Sequence, residues 1–226
     1  MKLELFDAYN IRARFSVSII LLSPIILALF LCFDKVFSTV SSAVFVLILL
    51  AFANYLPILQ RAIESKQKLL TDYAAEYLSP TDSTFDPVTK DRYYKKLATL
   101  DPSFASLTDC DNPSHNSLLN SAISFLREKT RGNRLVLEEN ITYGFCKNLQ
   151  AAKYFGIAIC VLTGGGLFVY LKIMNAPISA TPLRVWFTLA VIGIILLFWF
   201  VGVRKNLREA AAKRYAKALI MAIDSL

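Results

Sequence analysis

Histidine is almost absent: His115 is the only one in 226 residues, and the four cysteines, Cys32, Cys110, Cys146 and Cys160, share no C-x-x-C spacing. A tetrahedral zinc site needs four such donors at close spacing, so the sequence offers no metal site. No G-x-x-x-x-G-K-[ST], G-x-S-x-G or H-E-x-x-H run occurs, which removes common signatures of phosphate binding, acyl transfer and zinc proteolysis. The aspartates Asp82, Asp86, Asp91, Asp101, Asp109 and Asp111 fall in loops and helix starts, where Asp caps or turns the chain. They read as structural rather than as a catalytic pair. No cofactor and no enzymatic activity are expected.

Charge is also missing, from four long stretches: residues 15–33, 36–59, 154–171 and 185–203. Each is long enough to cross a hydrocarbon core of ~30 Å, for which about 20 helical residues suffice. With 55% of its residues hydrophobic and gathered in blocks, the chain reads as a membrane protein. The absence of ionisable groups within the spans argues against an intramembrane enzyme and against proton-coupled transport. The first span has the basic flank of a signal peptide, but its apolar core is too long and no A-x-A site follows, so it is read as retained. The "LFLC" run ending at Cys32 has Leu31 where a lipid-attachment site needs a small residue.

The spans form two hairpins, joined by Asp34 and Lys35 in the first and by residues 172–184, with Pro177 and Pro182, in the second. Lys2, Arg12 and Arg14 precede the first span. Thirteen Lys and Arg lie in residues 60–153, and the tail adds Arg204, Lys205, Arg208, Lys213, Arg214 and Lys217. The tips hold only Lys35, Lys172 and Arg184. The positive-inside rule then places both termini and the middle domain in the cytoplasm, where Cys110 and Cys146 are expected as thiols.

After Pro57 the seam Leu59, Ala62, Lys66, Leu69, Tyr73 and Tyr77 continues the second span, with a bend at the proline, to a break at Ser79. Leu137, Ile141, Phe145, Leu149 and Ala152 form a stripe that runs into the third span. Residues 204–226 extend the fourth with a stripe at Leu207, Ala211, Arg214, Ala218 and Met221. Two shorter helices are expected between them, one capped by Asp86 with Pro87 at its first position, one from Ser114 to just before Gly132. The predicted fold is an all-α membrane protein: four transmembrane helices in two hairpins, with a cytoplasmic helical bundle formed by helix extensions. The divisions are residues 1–59, 60–153, 154–203 and 204–226.

Hydroxyls at Ser16, Ser18, Ser23, Ser38, Thr39, Ser41, Ser42 and Thr163, with Asn54, suit close helix contact. Alternatively the second span lines a pore, with Asn54 wetting its cytoplasmic end and Val44, Leu47 and Ile48 forming an apolar constriction. Gly164, Gly165 and Gly166 suggest close packing or a bend, with a hinge as the functional variant. Two basic groups stand out: Lys90, Arg92, Lys95 and Lys96 around Tyr93 and Tyr94, and Arg127, Lys129, Arg131 and Arg134. Cations interleaved with aromatics can bind single-stranded nucleic acid or nucleotides. The competing reading is a solvated face, because residues 60–153 carry thirteen basic and twelve acidic side chains. The tail, with six basic and two acidic residues, suits anionic headgroups.

The segment "LFDAYNIRARFSVSIILLSP", residues 5–24, resembles the opening of small bacterial membrane proteins in which an I-R-A-R element precedes the first span. With the two hairpins around a cytoplasmic helical region, the chain resembles the membrane effectors of bacterial anti-phage defence operons, most closely the Hailong type. The resemblance implies a homo-oligomeric pore in the inner membrane, with a tetramer as the working number. It implies a pore held shut by a nucleotide oligomer or single-stranded DNA made by a partner nucleotidyltransferase, and opened when infection removes that ligand. Arg12 and Arg14 match the opening element and are read, with Arg204 and Lys205, as anchors at the bilayer headgroups. The rival reading is a non-conducting membrane scaffold that recruits a soluble partner.

Overall fold

The structure is a computed structural model that describes residues 8–32, 73–111, 113–174 and 181–226, together with residues 44, 47, 48, 50, 51, 54 and 55. Every regular element among the described residues is helical. Three helices are long and apolar enough to cross a membrane: Asn10–Cys32, Arg134–Ile173 and Leu183–Gly202. They coincide with the first, third and fourth expected spans. Most of the second span, the bend at Pro57, the seam from Leu59 to Leu69 and the hairpin tips at 34–35 and 175–180 lie outside the described residues.

The first span opens with the π-helical turn Asn10–Phe15 and continues as α1, Ser16–Cys32. Pro24 lies inside α1 and is buried. A proline has no N–H for the carbonyl four residues back, which here is Ile20. The Ser23 hydroxyl supplies the missing donor, reaching the Ile20 carbonyl at 2.8 Å. Spanning helices tolerate proline by this kind of local repair.

Five short or long helices follow. They are α2 (Tyr73–Leu78), α3 (Pro87–Leu100), α4 (His115–Lys129), α5 (Arg134–Ile173) and α6 (Leu183–Leu197). A π-helical turn, Phe198–Gly202, ends the last span, and α7 (Lys205–Met221) closes the chain with a 3-10 turn at Ala222–Ser225. Local chemistry sets the starts. The Asp86 carboxylate accepts the Thr89 N–H at 2.9 Å with Pro87 at the first helical position, and Asp101 accepts the Ser103 N–H at 2.9 Å ahead of the 3-10 turn Pro102–Thr108. Asn133 caps α5 by accepting from Leu135 and Val136.

The third span does continue from its expected stripe in one unbroken helix, since α5 holds 40 residues and passes Lys153 without interruption; Ile141, Leu149 and Ala152 of that stripe are buried, whereas Leu137 is exposed. The fourth span does not. Contrary to the expected continuous rod, the helix stops at Gly202; Val203 takes φ −86 and ψ 89, Arg204 is irregular, and a new helix begins at Lys205. The expected stripe of α7 holds only at Ala211 and Ala218, which are buried. Leu207 and Met221 are 43% and 45% exposed and Arg214 is exposed, while Ala216, Leu219, Ile220 and Ile223 are buried. The larger apolar side chains at that 3.6-residue spacing decide which face turns inward.

The described residues fall into two compact units, one taking those within 1–66 and 144–208, the other those within 67–143 and 209–226. The first has a core of Val17, Leu21 and Ala28 from α1, Leu149, Ala152, Cys160 and Leu167 from α5, and Ile192, Trp199 and Val203. Its outer surface is apolar too, with Leu162, Ile194 and Leu197 each more than 60% exposed, as surfaces that face lipid are. Close packing here uses glycines that the sequence reading passed over. A Cβ at Gly156 would fall inside the Trp199 indole, and one at Gly144 would meet the Tyr9 ring. The Gly164–Gly166 run is different: Gly164 would make only ordinary contact with Ile192, and Gly165 and Gly166 face open space among the described residues. The second unit packs Leu78, Tyr93, Tyr94, Leu97, Phe104, Leu107, Leu119, Ile123 and Leu126 against Leu219, Ile220 and Ile223.

Candidate functional site

Of the two basic groups, the one on α3 is spent on structure. Tyr93 and Tyr94 are buried in the core, so neither ring face is open to a base. Tyr93 packs edge-on against Phe85 with centroids 5.7 Å apart, and Tyr94 donates its hydroxyl to the Leu78 carbonyl at 2.7 Å. Burial pushes the Tyr94 phenol up to about 12. Lys90 is buried as well, 5% exposed, with its ammonium donating to the carbonyls of Ser79 and Asp82 and lying 3.9 Å from the Asp82 carboxylate. Burial draws it below the ordinary lysine range, and the Asp82 charge opposes that shift. Its role is to tie the turn after α2 to α3.

The remaining cations of α3, exposed at Arg92 and Lys95 and half-buried at Lys96, are engaged. Arg92 reaches the Asp224 carboxylate at 2.9 Å, Lys96 donates to the Asp224 carbonyl at 2.8 Å, and Lys95 pairs with Asp91 at 2.6 Å one turn back. A groove of about 360 Å³ runs beside them, lined by Asp82, Asp86, Asp91, Lys90, Tyr94 and Thr108 among others. Three carboxylates against one ammonium make it unfavourable for phosphate. The carboxylates themselves have structural partners: Asp82 accepts from the Thr84 N–H, Asp86 caps α3, and Asp91 pairs with Lys95. The Thr89 hydrogen bonds hold Asp86 below the usual carboxylate range, and those from Ser103 do the same for Asp101.

The second group keeps an open aspect. Arg127 and Lys129 lie in the last turn of α4, Arg131 in the connecting turn and Arg134 at the start of α5, all exposed. Lys129 sits 5.5 Å from the Phe125 ring centroid. Cations at the end of α4 complement its dipole, yet four of them within eight residues also present a compact positive surface.

Val44, Leu47, Ile48 and Asn54 are exposed in the single chain, and Asn54 turns its amide back on the Leu50 carbonyl at 2.9 Å. Of the residues expected to meet the headgroups, Arg12, Arg204 and Lys205 are exposed, whereas half-buried Arg14 bonds Asn10 at 2.6 Å and lies over the Tyr9 ring. What the sequence reading missed is the part of α5 that holds the N-terminal turn: the buried Asn148 amide donates to the Ala13 carbonyl at 2.8 Å beside the Gly144 notch. An amide and a glycine four residues apart on a helix were its only signal. No disulfide joins Cys32, Cys110, Cys146 or Cys160, and among the described residues no cluster of His, Cys, Asp and Glu could hold a metal. No family model, curated protein or solved structure matches this chain.

Proposed function

We propose that the chain is a homo-oligomeric, pore-forming membrane effector of anti-phage defence in the bacterial inner membrane, gated by a nucleotide oligomer. Both termini and the unit built on α2, α3 and α4 lie in the cytoplasm, as the Lys and Arg bias indicates. One observation carries the reading: α5 is a single helix that contributes Val136 to one core and Leu149, Ala152, Cys160 and Leu167 to the other. A ligand that repacks the residues around Val136 therefore acts on a rod that also belongs to the spanning set. Packed helices respond to such a push by shifting between discrete arrangements. The ligand surface is Arg127, Lys129, Arg131 and Arg134, whose exposed cations suit a phosphate backbone. Val44, Leu47 and Ile48, uncovered in one chain, form the constriction when copies assemble, with a tetramer as the working number. The similarity of residues 5–24 to the opening of Hailong-type effectors supports the same class.

The test is ion flux through liposomes holding the purified chain, with and without short single-stranded oligonucleotides. Flux that changes with oligonucleotide is expected. Electrical silence in every condition would overturn the reading in favour of a non-conducting scaffold that recruits a soluble partner.

A further inference from the structure

The spanning helices keep a register that fixes their depths. The Lys153 ammonium on α5 donates to the Val203 carbonyl at 2.8 Å, Gly156 lies against the Trp199 indole, and a Cβ at Gly164 would meet Ile192 at 3.7 Å. From Lys153 to Gly164 α5 advances eleven residues, and from Val203 to Ile192 the last span retreats eleven, so the two run antiparallel without slipping. α1 agrees with them. The Ala13 carbonyl accepts from Asn148, and nineteen residues later the Cys32 thiol lies 3.6 Å from the Thr188 hydroxyl. The register sets Thr188 level with Phe168, which is twenty residues beyond Asn148 on α5. Carried six residues past Gly164 and Ile192, it sets Tyr170 level with Trp186, and two residues further Lys172 level with Arg184. All four of these side chains are exposed.

These levels form two girdles. Lys153, exposed Tyr154, Arg204 and Lys205 stand at one end, and Tyr170, Lys172, Arg184 and Trp186 at the other, with no charged residue between them on α5 or on the last span. Tyrosine and tryptophan settle at the level of the headgroups. The sixteen residues from Tyr154 to Tyr170 rise about 24 Å in an upright helix, which falls short of the ~30 Å core of a typical bilayer, and tilt shortens the reach further. Lysines near a helix end ordinarily absorb such a mismatch by reaching along the helix to the headgroups. Lys153 is committed elsewhere, since its ammonium also donates to the Phe200 carbonyl at 3.3 Å. We propose that the spanning unit is fitted to a bilayer whose hydrocarbon core is about 25 Å thick, and that short-chain lipid gathers around it. The inference stands whether or not the chain conducts.

Lipid competition on the full chain in vesicles tests it. Monounsaturated phosphatidylcholines with chains of about 14 to about 22 carbons compete with a brominated 18-carbon lipid that quenches the two tryptophans, Trp186 and Trp199, so fluorescence gives the relative affinity of each chain length. The strongest binding is expected at 16 carbons or fewer, about threefold above that of the 22-carbon lipid. Lys172→Leu combined with Arg184→Leu changes two exposed side chains and carries the apolar belt outward over Ile173, so the optimum should move about two carbons longer. A wild-type optimum at 18 carbons or more, or an affinity indifferent to chain length, overturns the fit. An unmoved optimum in the double variant overturns it too, because the outer girdle then does not set the depth. If the double variant fails to insert, the wild-type profile decides alone.

Discussion

At the scale of single residues, the side chains that look most like a binding motif turn out to do internal work. Lys90 satisfies two carbonyls of the turn after α2, so Lys90→Met should leave both without their donor. A buried hydrogen bond from a charged donor is worth about 2 kcal/mol, which lowers the thermal midpoint of a chain of this size by about 4–8 °C. Thermal unfolding of the full chain in detergent reads this directly, and a midpoint within a degree of wild type would show that the turn does not need the lysine. Tyr94 gives a pH signature. Its folded phenol is raised to about 12 by burial, while the unfolded chain ionises near 10.0. The folded state therefore keeps a proton that the unfolded state releases. Its stabilising contribution is whole below pH 10 and is lost as pH climbs toward 12, on the order of 2 kcal/mol across that window. Tyr94→Phe should start lower, having given up the bond to Leu78, and fall less steeply in alkali when unfolding is followed from pH 9 to 12.

At the scale of elements, what the sequence reveals is what is decided locally. Asp86 with Pro87 marks the start of α3, Ser114 and Gly132 bracket α4, and the lack of any proline between Arg134 and Ile173 lets α5 run on through its five glycines, because caps and propensity act within a few residues. The break at Val203 and Arg204 is invisible in the same way that α5 is visible. Its partners, Lys153 and Gly156, lie some fifty positions away in the chain, and no local rule couples them. Glycines show the contrast well. A triple glycine draws the eye, yet Gly165 faces open space, whereas the isolated Gly156 is the one pressed against Trp199. Gly165→Ala should accordingly leave detergent stability unchanged or raise it by up to about 1 kcal/mol through helix propensity. Gly156→Ala should lower it by about 1–3 kcal/mol through overpacking. Equal effects of the two changes, measured by denaturant titration side by side, would mean that Trp199 can move aside at no cost.

At the scale of the whole molecule, the sequence presents two basic groups of similar size and cannot rank them, because ranking needs to know which of their cations and rings folding buries. Folding brings Asp224 and Asp91 to the cations of α3 and buries the two tyrosines between them, while the turn between α4 and α5 leaves Arg127, Lys129, Arg131 and Arg134 on the surface. That difference separates the two groups experimentally. If the second group takes a phosphate backbone, replacing all four with glutamine should weaken oligonucleotide binding. It should also reduce the slope of log affinity against log salt by about 3, since each single-strand phosphate contact contributes roughly 0.7. Lys95→Gln, which disturbs only an exposed pair with Asp91, should leave both affinity and slope near wild type. Fluorescence anisotropy with a labelled single strand at three or four salt concentrations measures both quantities. A quadruple variant that binds with an undiminished slope would remove the turn between α4 and α5 from the ligand site. The proposal of a nucleotide-oligomer ligand would then stand without a surface to hold it.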